Sequence, residues 1–259
     1  MAQGSDPRPA VGAPRARRAA TRRLLLFGRL PEPGRVKTRL IPALGARGAA
    51  ELYGAFLDDL LSWTPDIAPT ELWAPGGERA RTALGERCGR ATVRLQPAGD
   101  LGGRLAAAFD TAFRDGADHV VALGSDHPTL PPAHLERAFA ALHGAHLVLG
   151  PTSDGGYYAL GLRRLCWPRA RGLFEGAPWS TPGLLEWTRG RAEALDLCHV
   201  ELPRWYDVDE PGDLERLARD ATPGSATERV WRSLAGRLSG LASTGEEAPG
   251  GAAAAGSGP

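Results

Sequence analysis

The sequence has few cysteines and no long apolar run. Its three cysteines, Cys88, Cys166 and Cys198, are odd in number and share no metal-ligand spacing. This pattern argues against a disulfide framework or a zinc site and indicates a reducing compartment. No apolar run approaches the roughly 20 residues that span a bilayer, and Leu24–Phe27 is too short for a secretory segment. We therefore expect a cytoplasmic protein without a membrane span.

A net charge of one sign is also missing. The chain has 31 basic and 30 acidic residues, for a net charge of +1. Because no overall field attracts the protein to nucleic acid or to a membrane surface, we expect neither as a partner. The composition predicts a disordered basic tail over residues 1–21 and one domain over 22–219. It also predicts a second tail over residues 220–259, with a possible helix over 228–241.

Strand-length apolar runs alternate with helical patterns between the two tails. Helical spacing of apolar residues occurs over Ala50–Leu61, Leu105–Phe113 and Ala133–Leu142. This alternation predicts an α/β fold of three layers, with a mostly parallel sheet covered on both faces. Ligands of such sheets bind at the carboxyl ends of the strands. The predicted strands are Leu24–Phe27, Glu71–Trp73, Thr92–Leu95, His119–Leu123, His146–Leu149 and Tyr157–Leu162.

The loop after the first strand is rich in cations. Arg29, Arg35, Lys37 and Arg39 lie in a segment that two prolines and two glycines, Gly34 among them, make stiff. Guanidinium groups bind phosphate oxygens in planar pairs and an ammonium acts as a point charge, so the loop predicts a phosphate site. Its spacing is not that of a Walker A loop. The alternative interpretation is a solvated basic loop.

An aspartate follows the fourth predicted strand directly. Asp126 lies between a glycine and a proline in the segment LGSDHP, at the carboxyl edge of the sheet. A hard cation such as Mg²⁺ binds through one or two carboxylates plus phosphate oxygens. The alternative role is capping of the next helix, for which Thr129 ahead of Pro131 is better suited. Asp126 is then available for a metal ion.

Two glycine-rich segments allow either a structural or a ligand-binding role. Asp154-Gly155-Gly156 is typical of a tight turn, and it would also let backbone approach a ligand while Asp154 accepts from a hydroxyl. The segment from Gln96 to Arg104 leads into a helix, and an entry of this kind can receive an anion or a base edge.

The last acidic segment contains Asp207, Asp209 and Asp213. We expect Asp207 and Asp209 to point to opposite sides of this segment, so that only one of them faces the site. Asp213 is explained by the helix dipole of the following helix. Trp179 precedes another helix, and it can be either a core residue or a stacking surface for a ligand.

These segments together resemble a bacterial family of glycosyltransferase-A-fold (GT-A) proteins. The resemblance rests on FGRLPEPGRVKTRL, QPAGDLGGRL, LGSDHPTL, GPTSDGGYYALGL and WYDVDEPGDL in this order, with LFEGAPWST between the last two. It runs from about Leu24 to Leu217. The family comprises DUF2064-like transferases associated with radical-SAM and selenodomain proteins, and it is linked by name to arsenosugar biosynthesis. Two positions depart from its pattern, Arg29 in place of Lys and Glu210 in place of Thr.

The resemblance implies a Rossmann-like nucleotide-diphospho-sugar transferase fold and a role for each block. The residues from Arg29 to Arg39 would hold phosphates, Gln96 and Gly102 would lie against the base, and Asp126 would hold Mg²⁺ or Mn²⁺. Asp207 is implied as the second metal ligand. The turn Asp154-Gly155-Gly156, together with Trp179, would contact the sugar or the acceptor.

The leading hypothesis is metal-dependent glycosyl transfer from an NDP-sugar to a small acceptor. Lys37, Arg39 and Asp126 with its metal would neutralise the departing diphosphate. The alternative is nucleotidyl transfer from an NTP to a small phosphorylated or hydroxylated acceptor, because the basic loop also resembles that of guanylyltransferases. A binding module without turnover is the third possibility, and fold alone does not choose among them. The sequence leaves the oligomeric state open.

Overall fold

In the part of the chain that the structure describes, seven strands form one central sheet. The computed structural model describes residues 20–244. The strands follow the order β3-β2-β1-β4-β6-β5-β7. β6 runs antiparallel to β4 and β5, and the other neighbouring pairs are parallel, so the mostly parallel sheet is confirmed. Their bounds are β1 Arg22–Phe27, β2 Thr70–Ala74, β3 Thr92–Leu95, β4 His119–Gly124, β5 Leu147–Pro151, β6 Tyr157–Arg163 and β7 His199–Glu201.

The described residues form eight α-helices, most of which cover the sheet. The first is interrupted at Gly45, whose φ of 69° is not helical. The last contains the helix predicted over 228–241, whereas most of the tail predicted over 1–21 lies outside the described residues. The bounds are α1 Ile41–Ile67, α2 Glu78–Gly85, α3 Leu101–Arg114, α4 Pro132–Ala141, α5 Trp167–Ala170, α6 Leu184–Ala194, α7 Asp213–Asp220 and α8 Ala226–Thr244.

The sheet separates two apolar cores, as the alternation of side chains along a strand requires. Leu24 and Leu26 of β1 pack into the core beneath α1 and α4. Leu25, between them, faces the opposite core beneath α3 and α6. All three side chains are fully buried, so β1 is covered on both faces. The three-layer α/β fold predicted from the sequence is confirmed.

Helix α8 packs against α1. Leu234 is buried in the core that α1 shares, and the Asp59 carboxylate accepts hydrogen bonds from the N–H groups of Ala226 and Thr227 at 2.7 and 2.8 Å. This carboxylate satisfies free donors at the start of α8 and complements its dipole. Within the described residues, no helix has the length and apolar character needed to cross a bilayer.

Candidate functional site

A cleft of about 650 Å³ opens at the carboxyl ends of β1, β3 and β4. Loops that follow these strands, the start of α3 and the segment before α6 form its walls. This is the edge of the sheet at which ligands were expected. Six of the predicted site residues line it: Arg29, Lys37, Arg39, Gln96, Asp126 and Trp179. The other six predicted site residues are not among the described residues that line the cleft: Gly34, Gly102, Asp154, Gly155, Gly156 and Asp207.

The basic loop after β1 is anchored to the core. Val36 and Leu40 are buried, and the Arg29 N–H donates to the Tyr53 hydroxyl at 2.9 Å. Gly34 has a φ of +77°, which other residues rarely adopt, so it shapes the turn of the loop. Because these anchors fix its path, the loop is not a freely solvated segment, and Arg29 and its neighbouring arginines border the cleft.

Lys37, the only lysine in the sequence, lies between two aspartates. Its Nζ forms ion pairs with Oδ1 of Asp126 and, at 2.6 Å, with Oδ1 of Asp209. The side chain is 4% exposed, and its Nζ lies 5.9 and 5.6 Å from the ring centroids of Tyr53 and Phe56. Burial disfavours the charged form, but the attraction of the two carboxylates outweighs it and raises the pKa of Lys37. The ammonium is therefore a fixed charge.

Backbone contacts bring Asp126 and Asp209 together. The Val208 N–H donates to the Asp126 carbonyl at 3.0 Å, which ties the loop after β4 to the segment before α7. His127 strengthens the connection, because its Nδ1 donates to the Tyr206 carbonyl at 2.9 Å. His127 is buried, and this burial lowers the pKa of its imidazole. Its neutral ring is thus an anchor for the two aspartate loops.

Thr129 does not cap α4, contrary to the sequence-based expectation. The residue at the helix cap is Pro131, with no side-chain cap, and the Thr129 hydroxyl donates to Tyr206 Oη at 2.9 Å. The first turn of α4 already contains Pro132, which has no N–H to satisfy, so the helix needs one donor fewer.

Asp209, rather than Asp207, contacts Lys37 and borders the cleft. The expectation that the two aspartates point to opposite sides is wrong, because side chains two residues apart in an extended segment share a face. Their carboxylates interact directly. Burial and the charge of Asp209 raise the pKa of Asp207 to about 6. Asp213 accepts from the N–H groups of Asp209 and Glu210 at 2.9 and 2.7 Å, which is a structural role.

Gln96 and Gly102 make contacts within the protein at the β3 end of the cleft. The Gln96 amide donates to the Trp73 carbonyl at 2.8 Å, and its oxygen accepts from Arg104 Nη1 at 3.4 Å. A Cβ on Gly102 would lie 2.4 Å from Nε1 of Trp179. Gly102 thus lets the indole pack against α3, where it also stacks on Phe174 with 6.3 Å between ring centroids.

The Asp154-Gly155-Gly156 segment is a turn. Asp154 Oδ1 accepts from the Thr152 hydroxyl at 2.5 Å and from the Gly156 N–H at 3.1 Å. Gly155 has a φ of +90°, and a Cβ there would lie 2.0 Å from the Pro182 carbonyl oxygen. These contacts account for all three residues without a ligand and fasten the segment that leads into α6.

Sequence reasoning did not single out Tyr53 and Arg104, which also line the cleft. Tyr53 lies on the apolar face of α1, where its hydroxyl is 2.8 Å from that of Ser125. Nothing in the helical pattern distinguishes it from a core residue. Arg104 could have been found from the sequence, because it is the last residue of the glycine-rich segment that begins at Gln96.

The fold and the site define a transferase of the nucleotide-diphospho-sugar transferase fold. A family model described as "Uncharacterized protein conserved in bacteria (DUF2064)" matches residues 63–181. A solved candidate nucleotide-diphospho-sugar transferase from Desulfovibrio desulfuricans G20 is 31% identical, with a TM-score of 0.79 over 85% of this chain and 98% of that one. The chain belongs to this DUF2064 family, as the sequence resemblance implied.

More distant similarities concern the fold alone. A CMP:2-keto-3-deoxy-manno-octonic acid synthetase solved with CTP is 12% identical, with a TM-score of 0.50 over 76% of this chain and 97% of that one. A cytidylyltransferase from Leptospira borgpetersenii is 14% identical, with a TM-score of 0.51 over 86% and 96%. No curated protein matches the chain.

Proposed function

We propose that the protein is a metal-dependent transferase that moves a glycosyl group from an NDP-sugar to a small acceptor. The observation that carries this proposal is the convergence of Asp126 and Asp209 on one cation, in a cleft that Arg29 and Arg39 border. The 31% identity to a candidate nucleotide-diphospho-sugar transferase supports the choice of reaction.

Asp126 and Asp209 have the donor chemistry that Mg²⁺ or Mn²⁺ requires. Both carboxylates contact the same ammonium, and their side chains are 41% and 38% exposed. The described residues contain no ready cluster of three or more histidine, cysteine or acidic side chains for a metal ion. A nucleotide site does not need one, because Mg²⁺ commonly binds one or two carboxylates and completes its shell with phosphate oxygens and water. We therefore assign Asp209 as the second ligand in place of Asp207.

Bound at this pair, the cation would supply positive charge to a departing diphosphate. Arg29 and Arg39 contribute planar donors for the phosphate oxygens. Lys37 has a different role from the one the sequence suggested. Because its Nζ is buried against both carboxylates, it orients Asp126 and Asp209 and reduces their mutual repulsion.

A second candidate is nucleotidyl transfer from an NTP with release of pyrophosphate. The observation that favours it is the number of cations at the β1 loop, where Arg29, Arg35 and Arg39 all border the cleft in addition to Lys37. This much fixed charge suits a triphosphate, whose negative charge is larger than that of a diphosphate.

Product analysis separates the two reactions. The purified protein is incubated with Mn²⁺ and either NDP-sugars or NTPs, together with small hydroxylated and phosphorylated acceptors. Release of NDP from an NDP-sugar is the expected result, and release of pyrophosphate from an NTP would establish the second candidate instead. Asp126→Ala should reduce the rate on the order of a thousandfold. Asp66→Asn is the matched control, because Asp66 pairs with Arg90 at the surface. If neither product forms with any donor, both proposals are wrong.

A further inference from the structure

Arg104 is a cation in the cleft without a carboxylate partner among the described residues. It lies in the first turn of α3, and the only acceptor it has there is Gln96 Oε1, 3.4 Å from Nη1. Its Nε is buried and has no hydrogen-bond partner within residues 20–244. By contrast, Lys37 has two carboxylates and Arg39 lies 3.4 Å from Glu210. The Arg104 guanidinium therefore retains donors for a ligand.

The position of Arg104 fits the base of a nucleotide rather than its phosphates. Gln96, its contact, follows β3 at the edge of the sheet, whereas Asp126 follows β4, three strand positions away. At about 4.8 Å per position, these two ends lie roughly 14 Å apart. With its phosphates at Asp126 and Arg29, a nucleotide extends along the strand ends toward Arg104. Phe27 and the exposed Leu101 border this part of the cleft and offer apolar surface to a base.

A guanidinium can only donate hydrogen bonds, so it discriminates among base edges. The Gln96 amide donates one N–H to the Trp73 carbonyl and accepts from Arg104, whereas the Arg104 side chain makes this one hydrogen bond among the described residues and keeps its other donors for a ligand. Guanine presents the neighbouring acceptors O6 and N7 to arginine, and an unpaired cytosine presents the neighbouring acceptors N3 and O2. In uracil the N3–H separates the acceptors O2 and O4, and in adenine N1 and N7 each lie beside the N6 amino group, so neither base offers two adjacent acceptors to the guanidinium.

We propose that Arg104 selects the base of the bound nucleotide and that this base is guanine or cytosine, which offers two adjacent acceptors. This inference rests on the proposed function, since it assumes that the cleft binds a nucleotide. It adds the class of base, which neither the fold nor the phosphate loop determines.

Calorimetric titration with GDP, CDP, UDP and ADP in the presence of Mn²⁺ tests the inference. The wild-type protein should bind GDP or CDP about 10- to 100-fold more tightly than both UDP and ADP, and the better of the two identifies the base. Arg104→Met should lose this preference while keeping its binding of UDP. Arg104→Lys should not restore the preference, because an ammonium has no planar pair of donors. Arg114→Met is the control, because Arg114 lies in the same helix and is paired with Asp110 at the surface.

The outcomes separate the role of Arg104 from nucleotide binding itself. If the wild type binds UDP or ADP as tightly as GDP and CDP, or if Arg104→Met retains the preference, the role of Arg104 is refuted while nucleotide binding stands. If none of the four nucleotides binds, the proposed function fails and the inference fails with it. The wild-type titrations alone decide the class of base, even if an Arg104 variant does not fold.

Discussion

Replacing Lys37 with methionine tests the arrangement at the bottom of the cleft. Lys37→Met keeps most of the side-chain volume and removes the charge that Asp126 and Asp209 share. Breaking a buried ion pair costs about 3–5 kcal/mol. We reduce this to about 1–3 kcal/mol here, because the two carboxylates are 41% and 38% exposed and solvent screens their repulsion. For a chain of this size the loss lowers Tm by roughly 3–10 °C.

The same variant should respond more strongly to a divalent cation. With the ammonium gone, two adjacent carboxylates are available without a competing positive charge, so Mn²⁺ should raise the Tm of Lys37→Met by more than that of the wild type. Differential scanning calorimetry with and without Mn²⁺ measures both effects. Arg47→Met is the control, since Arg47 forms an exposed pair with Glu51 and should change stability by less than about 1 kcal/mol. An equal response of variant and wild type to Mn²⁺ would refute the claim that Lys37 and the metal share these ligands.

Three further predictions concern stability and can be measured by urea denaturation. Glu71→Gln should cost about 3 kcal/mol, because the buried Glu71 carboxylate pairs with Arg23 at 2.6 Å and the change leaves that cation without its charge partner; a loss below about 1 kcal/mol would contradict this. Gly155→Ala should cost about 2 kcal/mol or more, since its φ is +90° and the new Cβ would meet the Pro182 carbonyl; an unchanged midpoint would be inconsistent with the turn. Asp207→Asn should stabilise the protein by about 1 kcal/mol above pH 6, because the raised pKa of Asp207, about 6, means that ionisation costs stability as the pH rises through 4 to 6. This gain should vanish below pH 4, and a gain independent of pH would rule out the explanation.

The fold was predictable from the sequence because five of the seven strands in the described residues, β1, β2, β4, β5 and β6, are mostly buried. A continuous apolar run such as Leu24–Phe27 by itself indicates a strand that is buried on both faces. β7 escaped prediction because all three of its residues are exposed at the edge of the sheet. The reversed direction of β6 follows from the turn at Asp154-Gly155-Gly156, which is too short for the crossover that a parallel neighbour needs.

The candidate site was predictable at the level of loops and less so at the level of side chains. Arg29, Lys37, Arg39 and Asp126 line one cleft because each follows a strand that ends at the same edge. The sequence could not choose between Asp207 and Asp209, because residues two apart share a face of an extended chain and residues 206–209 form no regular strand. One of the two partners of Lys37, Asp209, lies 172 residues away in the chain, and local sequence does not encode that contact.

Electron paramagnetic resonance of Mn²⁺ in the presence of GDP or CDP tests the central claim most directly. The wild type should bind one Mn²⁺ per chain together with the nucleotide, and Asp126→Asn and Asp209→Asn should each weaken this binding at least tenfold, whereas Asp66→Asn should not. Binding of Mn²⁺ and nucleotide that is unchanged in both cleft variants would contradict the account.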